Sequence, residues 1–166
     1  TAGEPGRSRV RVLTDHDGDG RYENAQIFAD KLLFANGLML WKDGVLVTTD
    51  GKILFLRDTD GDGRADEQQV WFQGFAVENP QLRCNHPTLG IDNKIYVANG
   101  LRGGKIIPGP SNPWGLKADA EPLSLSGMDF CFDPLTGEHA AISGMGQFGL
   151  TFNDLGDRFE CDNRHP

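Results

Sequence analysis

Two stretches carry residue types at a spacing that chemistry can use. Asp15-His16-Asp17-Gly18-Asp19-Gly20-Arg21-Tyr22-Glu23 and Asp58-Thr59-Asp60-Gly61-Asp62-Gly63-Arg64-Ala65-Asp66 each place carboxylates at positions 1, 3, 5 and 9. Two unit charges about 4 Å apart repel by roughly 1 kcal/mol in water and about 4 kcal/mol at an effective dielectric near 20. A loop holding three or four carboxylates that close is strained without a cation. Ca²⁺ suits it, taking about 6–8 oxygen ligands in flexible geometry. The expected cages are Asp15, Asp17, Asp19 and Glu23 with the carbonyl of Arg21, and Asp58, Asp60, Asp62 and Asp66 with the carbonyl of Arg64. Position 12 of the helix–loop–helix calcium pattern, normally a bidentate Glu, is Gln26 in one copy and Gln69 in the other. The cage is therefore a shortened one that closes between two strands. His16 is replaced by Thr59 in the second copy and is not expected to be a ligand. The competing reading is a solvated acidic turn without metal.

Elsewhere the residues that could do chemistry are sparser. His86 stands where a strand is expected to begin, and an imidazole titrating near neutral pH suits hydride or proton abstraction from an alcohol carbon. The plainer alternative is that it hydrogen-bonds a neighbouring blade's backbone. Arg83 could orient an anionic cofactor or substrate, or pair with Asp129. Arg102 and Lys105 lie in a Gly/Pro-rich insertion, where long loops often line sites but are more often simply solvated. Trp41, Trp71 and Trp114 read as packing residues. Cys84, Cys131 and Cys161 are widely spaced, with no Cys-x-x-Cys, and their odd number permits at most one internal disulfide.

The elements that must position these residues repeat. The two acidic loops begin 43 residues apart, at Asp15 and Asp58, within the roughly 40–45-residue period of four-stranded propeller blades. Arg9–Leu13 before the first loop parallels Lys52–Leu56 before the second, and Ala25–Phe28 after it parallels Gln69–Phe72. These are short alternating or apolar runs bounded by Gly and Asp, which is strand and hairpin punctuation. With 22 glycines and nine prolines and no amphipathic helical pattern, the expected class is all-β, a partial β-propeller. A lead of residues 1–8 would precede the end of one blade (9–33), a full blade (34–75), a full blade with an inserted loop (85–143) and the start of another (146–163). That is about three blades' worth, below the usual four to eight. The chain is thus expected to be a piece of a larger ring, with the missing blades in the same intact protein or in another chain. The opening Thr1-Ala2-Gly3-Glu4-Pro5 has no initiating Met and fits the same expectation.

Several stretches resemble a known family. They are Leu82-Arg83-Cys84-Asn85-His86-Pro87-Thr88-Leu89-Gly90-Ile91-Asp92-Asn93-Lys94-Ile95-Tyr96, Ala98-Asn99-Gly100-Leu101-Arg102-Gly103-Gly104-Lys105, Ser126-Gly127-Met128-Asp129-Phe130-Cys131-Phe132-Asp133-Pro134, Gly146-Gln147-Phe148-Gly149-Leu150-Thr151-Phe152 and Arg158 to Pro166. Together they resemble the propeller of the PVC-type membrane-bound dehydrogenase proteins. That resemblance implies a six-bladed ring in an extracytoplasmic multidomain protein, with a c-type haem segment outside this stretch. It also places Arg164 in an Asn-Arg-Asn-Pro pattern whose second Asn is His165 here. The acidic loops are similar to the D-x-D-x-D-G-x-x-D hairpins of integrin-type propellers. A more distant similarity, to the soluble quinoprotein glucose and sorbosone dehydrogenases, implies pyrroloquinoline quinone (PQQ) on the ring's top face. In that alignment Leu82 falls where the quinoproteins carry their catalytic His, with His86 four residues on. Met145-Gly146-Gln147 stands where they carry Arg-Asn.

Two functional classes follow from the resemblance and the loops. One is a dehydrogenase-like oxidoreductase acting on a sugar or alcohol CH–OH group. His86 and Arg83 would be its catalytic residues, Arg102, Lys105 and Arg164 would contact the cofactor, and electrons would pass to a haem domain of the same intact chain. This fragment alone is expected to be inactive. The other is a non-catalytic, calcium-stabilised propeller that binds carbohydrate or protein. The net charge of −8 excludes a phosphate-tracking basic patch, since eight of the 24 acids sit in the two loops and no basic stripe offsets them. No apolar run reaches the ~18–20 residues of a membrane span.

Overall fold

The computed structural model describes residues 6–119 and 121–163. Its 14 strands are β1 (Ser8–Thr14), β2 (Asn24–Leu32), β3 (Gly37–Trp41), β4 (Gly44–Thr48), β5 (Lys52–Arg57), β6 (Glu67–Phe75), β7 (Asn85–Leu89), β8 (Ile95–Ala98), β9 (Gly104–Pro108), β10 (Leu123–Ser124), β11 (Asp129–Phe132), β12 (His139–Ile142), β13 (Leu150–Phe152) and β14 (Arg158–Glu160). There is no helix among the described residues, so none is long and apolar enough to cross a membrane. The all-β class expected from punctuation and alternation is what the chain adopts.

Every strand pairing is antiparallel, and the strands form four sheets: β1-β2, β10-β9-β6-β5-β4-β3, β12-β11-β8-β7 and β13-β14. The first strands of the three later sheets lie side by side, β3 against β7 and β7 against β13. β4 and β5 read as nearly unbroken apolar runs because both of their faces are covered.

The core divides accordingly. Leu46, Ile53, Phe55, Trp71, Phe72 and Phe75 of the six-stranded sheet pack against Ile95, Val97, Phe130 and Phe132 of the four-stranded one. On the other face, Val45, Val47, Leu54 and Leu56 meet Val10 and Leu32 of the β1–β2 hairpin. β4 and β5 thus alternate their side chains between two cores, as a period of two requires.

The inserted segment departs from the four-stranded expectation. It supplies β9 and β10, which extend the preceding sheet beyond β6, with Phe72 opposite Pro108 and Gln73 opposite Ile107. An open β6 edge beside the fully buried Phe72 would leave backbone groups unpaired, and β9 satisfies them. Trp114 from the same insertion packs on Trp71 and Phe72 at ring-centroid distances of 4.9 and 5.4 Å. The insertion is therefore part of the packed body. Cys84 and Cys131 are buried free thiols and Cys161 is an exposed one.

Candidate metal centres

Both acidic stretches are nine-residue hairpin loops. The first joins β1 to β2 and the second joins β5 to β6, and their closing pairs are Thr14–Asn24 and Arg57–Glu67. Their internal geometry agrees bond for bond. In the first, Gly18 and Gly20 donate their N–H groups to the two oxygens of Asp15, at 2.7 and 2.9 Å. In the second, Gly61 and Gly63 donate to Asp58 at 2.7 and 2.8 Å. Asp19 N–H to Asp17 and Arg21 N–H to Asp19 are matched by Asp62 N–H to Asp60 and Arg64 N–H to Asp62. The glycines are required by conformation: Gly18, Gly20, Gly61 and Gly63 have φ of 76°, 88°, 80° and 83°.

These bonds turn carboxylate oxygens inward. Asp15, Asp17, Asp19 and Glu23 each present an oxygen within 4.8 Å of the others, and so do Asp58, Asp60 and Asp62. The donors are all hard oxygens on exposed or half-exposed side chains, which suits a hard cation and excludes a thiolate or imidazole site. The N–H donors from Gly20 and Gly18 hold the Asp15 carboxyl below its ordinary value, and those from Gly63 and Gly61 do the same for Asp58. Both groups stay ionised into acid.

The two cages differ at position 9. Glu23 takes the His16 N–H on one oxygen, at 2.8 Å, and still reaches the cluster. The shorter Asp66 has one oxygen on the Thr59 N–H at 2.8 Å and the other on the Thr59 hydroxyl at 2.6 Å. That hydroxyl bond is the main reason its pKa is lowered. Asp66 therefore stands outside the second cluster, whose members are Asp58, Asp60 and Asp62. Arg21 and Arg64, whose carbonyls are the expected position-7 ligands, donate their N–H groups to Asp19 and Asp62.

The strand that follows the first loop, β2, touches the second loop. The Gln26 side-chain amide donates to the Asp62 carbonyl at 2.8 Å, and Ala65 N–H donates to the Phe28 carbonyl at 2.7 Å. Gln26 is thus a bridge from the strand after the first loop to the second loop. Its place at position 12, where a ligand would be sought, gave no hint of this.

The remaining candidates do not form one cluster. His86 sits in β7 at a bulge, where three residue steps from Asn85 to Thr88 face two from Ala98 to Tyr96, with φ of 54°. Bulges re-aim side chains and are enriched beside functional sites. Its exposed side chain lines a cleft of about 260 Å³ with Phe148, Leu150, Phe159 and Cys161. Arg83 is committed elsewhere. It pairs with Asp50, donates to the Val77 carbonyl at 2.9 Å and lies 4.1 Å from the Phe34 ring centroid. It does not pair with Asp129. Arg102 is an exposed turn residue and Lys105 an exposed β9 residue on the extended sheet. Arg164 lies outside the described residues.

Asp129, expected only as a possible partner of Arg83, is itself a buried titratable group. It stands first in β11. It accepts N–H groups of Asn99 at 2.8 Å and Gly146 at 3.2 Å and contacts the Glu160 carboxyl. Burial, followed by the hydrogen bond and charge of Glu160, pushes it up to about 7. A single Asp opening the apolar run Phe130-Cys131-Phe132 was the available signal.

Over residues 1–166 the chain matches the family described as Domain of unknown function (DUF7133). No curated protein and no solved structure matches it.

Proposed function

We propose, for a chain that belongs to the DUF7133 family of domains of unknown function, that it is a calcium-binding segment of a β-propeller. The observation that carries this reading is the bond-for-bond identity of two carboxylate loops at equivalent hairpins. A solvated turn has no need to repeat a four-bond scaffold that aims carboxylates at one point. Calcium, holding charges that repel when bare, would staple the β1–β2 and β5–β6 hairpins. The propeller reading draws on the side-by-side first strands β3, β7 and β13 and on the four-stranded sheet β12-β11-β8-β7.

Calorimetric titration with calcium, followed by melting with and without chelator, tests it. Two sites and a clear loss of stability on chelation are expected. Asp17→Ala or Asp60→Ala should lower the melting temperature even in excess calcium, and unchanged melting would refute the structural role.

For the intact protein, the resemblance to PVC-type dehydrogenases supports an oxidoreductase acting on a sugar or alcohol CH–OH group. The observation in its favour here is His86, held at a bulge over an apolar cleft. An imidazole so placed could accept a proton from a bound hydroxyl. PQQ-dependent reduction of a dye by the intact protein, with sugars as donors, separates this from a non-catalytic extracytoplasmic propeller that binds carbohydrate or protein.

A further inference from the structure

Two sheet edges are open, one on each two-stranded sheet. Among the described residues β1 pairs with β2 alone and β14 with β13 alone. The β13–β14 hairpin is itself firmly seated. β13 lies against β7 and β8, and the Phe152 ring meets Tyr96 at a centroid distance of 4.9 Å. An unpaired edge on a seated strand is a template for another strand.

The two open sheets have complementary strand roles. The first acidic loop joins β1 to β2 as the second joins β5 to β6, so β1 and β2 correspond to β5 and β6. β13 and β14 correspond to β7 and β8, because both hairpins close through the same turn. Gly90 N–H donates to the Lys94 carbonyl at 2.8 Å, and Asn153 N–H donates to the Asp157 carbonyl at 3.1 Å. β14 therefore lacks the strand that β5 supplies to β4, and β1 lacks the strand that β4 supplies to β5.

The existing sheets fix the register in which these two edges would meet. β8 and β14 begin directly after the shared turn, at Ile95 and Arg158, so Tyr96-Val97 corresponds to Phe159-Glu160. β4 and β8 end at Thr48 and Ala98, and Val47 and Val97 both face the preceding sheet, so Leu46-Val47 belongs to the same set. Leu46 pairs with Phe55 and Val47 with Leu54. With the loops aligned at Asp15 and Asp58, Phe55 and Leu54 correspond to Val12 and Arg11. Phe159 thus falls opposite Val12, and Glu160 opposite Arg11. The first pair joins two exposed apolar side chains and the second joins opposite charges. One step further Asp162 falls opposite Arg9, as Thr49 faces Lys52.

A face of β3 is open as well. Leu38 and Leu40 stand opposite Val47 and Val45 and share their side of the sheet, yet they are 58% and 76% exposed. The β1–β2 hairpin covers the two valines but not the two leucines. In this chain β7 lies against β3 and β13 against β7. A β13 from a second copy, placed by the same first-strand contact, would cover Leu38 and Leu40.

We propose that two copies of this chain complete each other, β14 of each pairing antiparallel with β1 of the other. Each junction is a composite blade of β13 and β14 from one copy and β1 and β2 from its partner. The proposal rests on the propeller reading for the strand roles. One copy supplies about three blades' worth, two supply six and three supply nine, and of these only six falls in the usual range of about four to eight. A two-fold axis exchanges the two junctions, so the assembly closes and does not run on as a filament.

Sedimentation of the whole chain over a concentration series, in saturating calcium, tests this. A reversible particle of twice the chain's mass is expected. Arg11→Glu should raise its dissociation constant by about tenfold, because each of two junctions exchanges an attraction for a repulsion. A cross-link reads the register. In a Cys161→Ser background, Val12→Cys combined with Phe159→Cys, both at exposed positions, should give a disulfide-linked dimer on oxidation, and neither substitution alone should. A monomer at every concentration, a filament, a dimer indifferent to Arg11→Glu, or one without that cross-link overturns the proposal. Calcium titration on the same samples keeps the readings apart. Two filled sites in a monomer refute the pairing, assign the open edges to a different chain and leave the calcium-binding propeller segment standing.

Discussion

Glu23 and Asp66 differ by one methylene, and that methylene decides what each loop can hold. Glu23 reaches the carboxylate cluster while keeping the His16 N–H, whereas Asp66 spends both oxygens on Thr59. Affinity in oxygen cages rises with ligand charge count. The first loop should therefore bind calcium more tightly than the second. Glu23→Gln should weaken the first site by about tenfold or more, while Asp66→Asn should change the second by less than about threefold. Calorimetry on the two single variants reads this, and equal losses would contradict it. The glycines make a separate case. A Cβ at Gly61 meets nothing within 4 Å, yet φ there is +80°. Gly61→Ala should thus cost roughly 1–2 kcal/mol in strain alone, seen as a lower unfolding midpoint in chelator.

The β1–β2 hairpin matters at the scale of elements. It is only two strands, and such a unit is marginal alone. It is held by Val10 and Leu32 on the β4–β5 face and by the Gln26 and Phe28 contacts with the second loop. Gln26→Ala removes a partly solvated hydrogen bond and should cost about 0.5–1 kcal/mol, with faster amide exchange confined to β1 and β2. Exchange that spreads evenly over the chain would show the hairpin is not an independent unit. The inserted segment follows the same logic. Read as residue types, residues 101–126 resemble a solvated loop. Folded, β9 closes the β6 edge, and Trp114 joins Trp71, Phe72 and Phe132.

Two features act across the whole molecule. Phe72 is fully buried and lies against Trp114, Phe130, Phe132 and His139, so it ties the six-stranded to the four-stranded sheet. Phe72→Ala should cost about 3–5 kcal/mol in chemical unfolding. The second feature is the opposition of two acid effects. Asp15, Asp58 and Asp66 titrate below their unfolded value of 3.8, so the stability they give is present above it and lost as pH falls through the folded values. Asp129 titrates above its unfolded value, so its share is lost as pH rises toward about 7. In chelator, stability should peak on the acid side of neutral, and Asp129→Asn should flatten the fall above the peak. Unfolding midpoints measured across that range decide the matter.

The sequence by itself determined the all-β class, the strand positions around each turn and the two carboxylate loops. These depend on local rules: alternation of period two, Gly and Asp punctuation, and carboxylates at alternate loop positions. It could not determine which oxygen of Asp66 is already taken, that the His86 strand bulges, that residues 104–108 pair with β6, or that Asp129 meets Glu160 across 31 residues of chain. Each of these depends on which distant backbone lies alongside. Only the closing of the sheets on one another decided that.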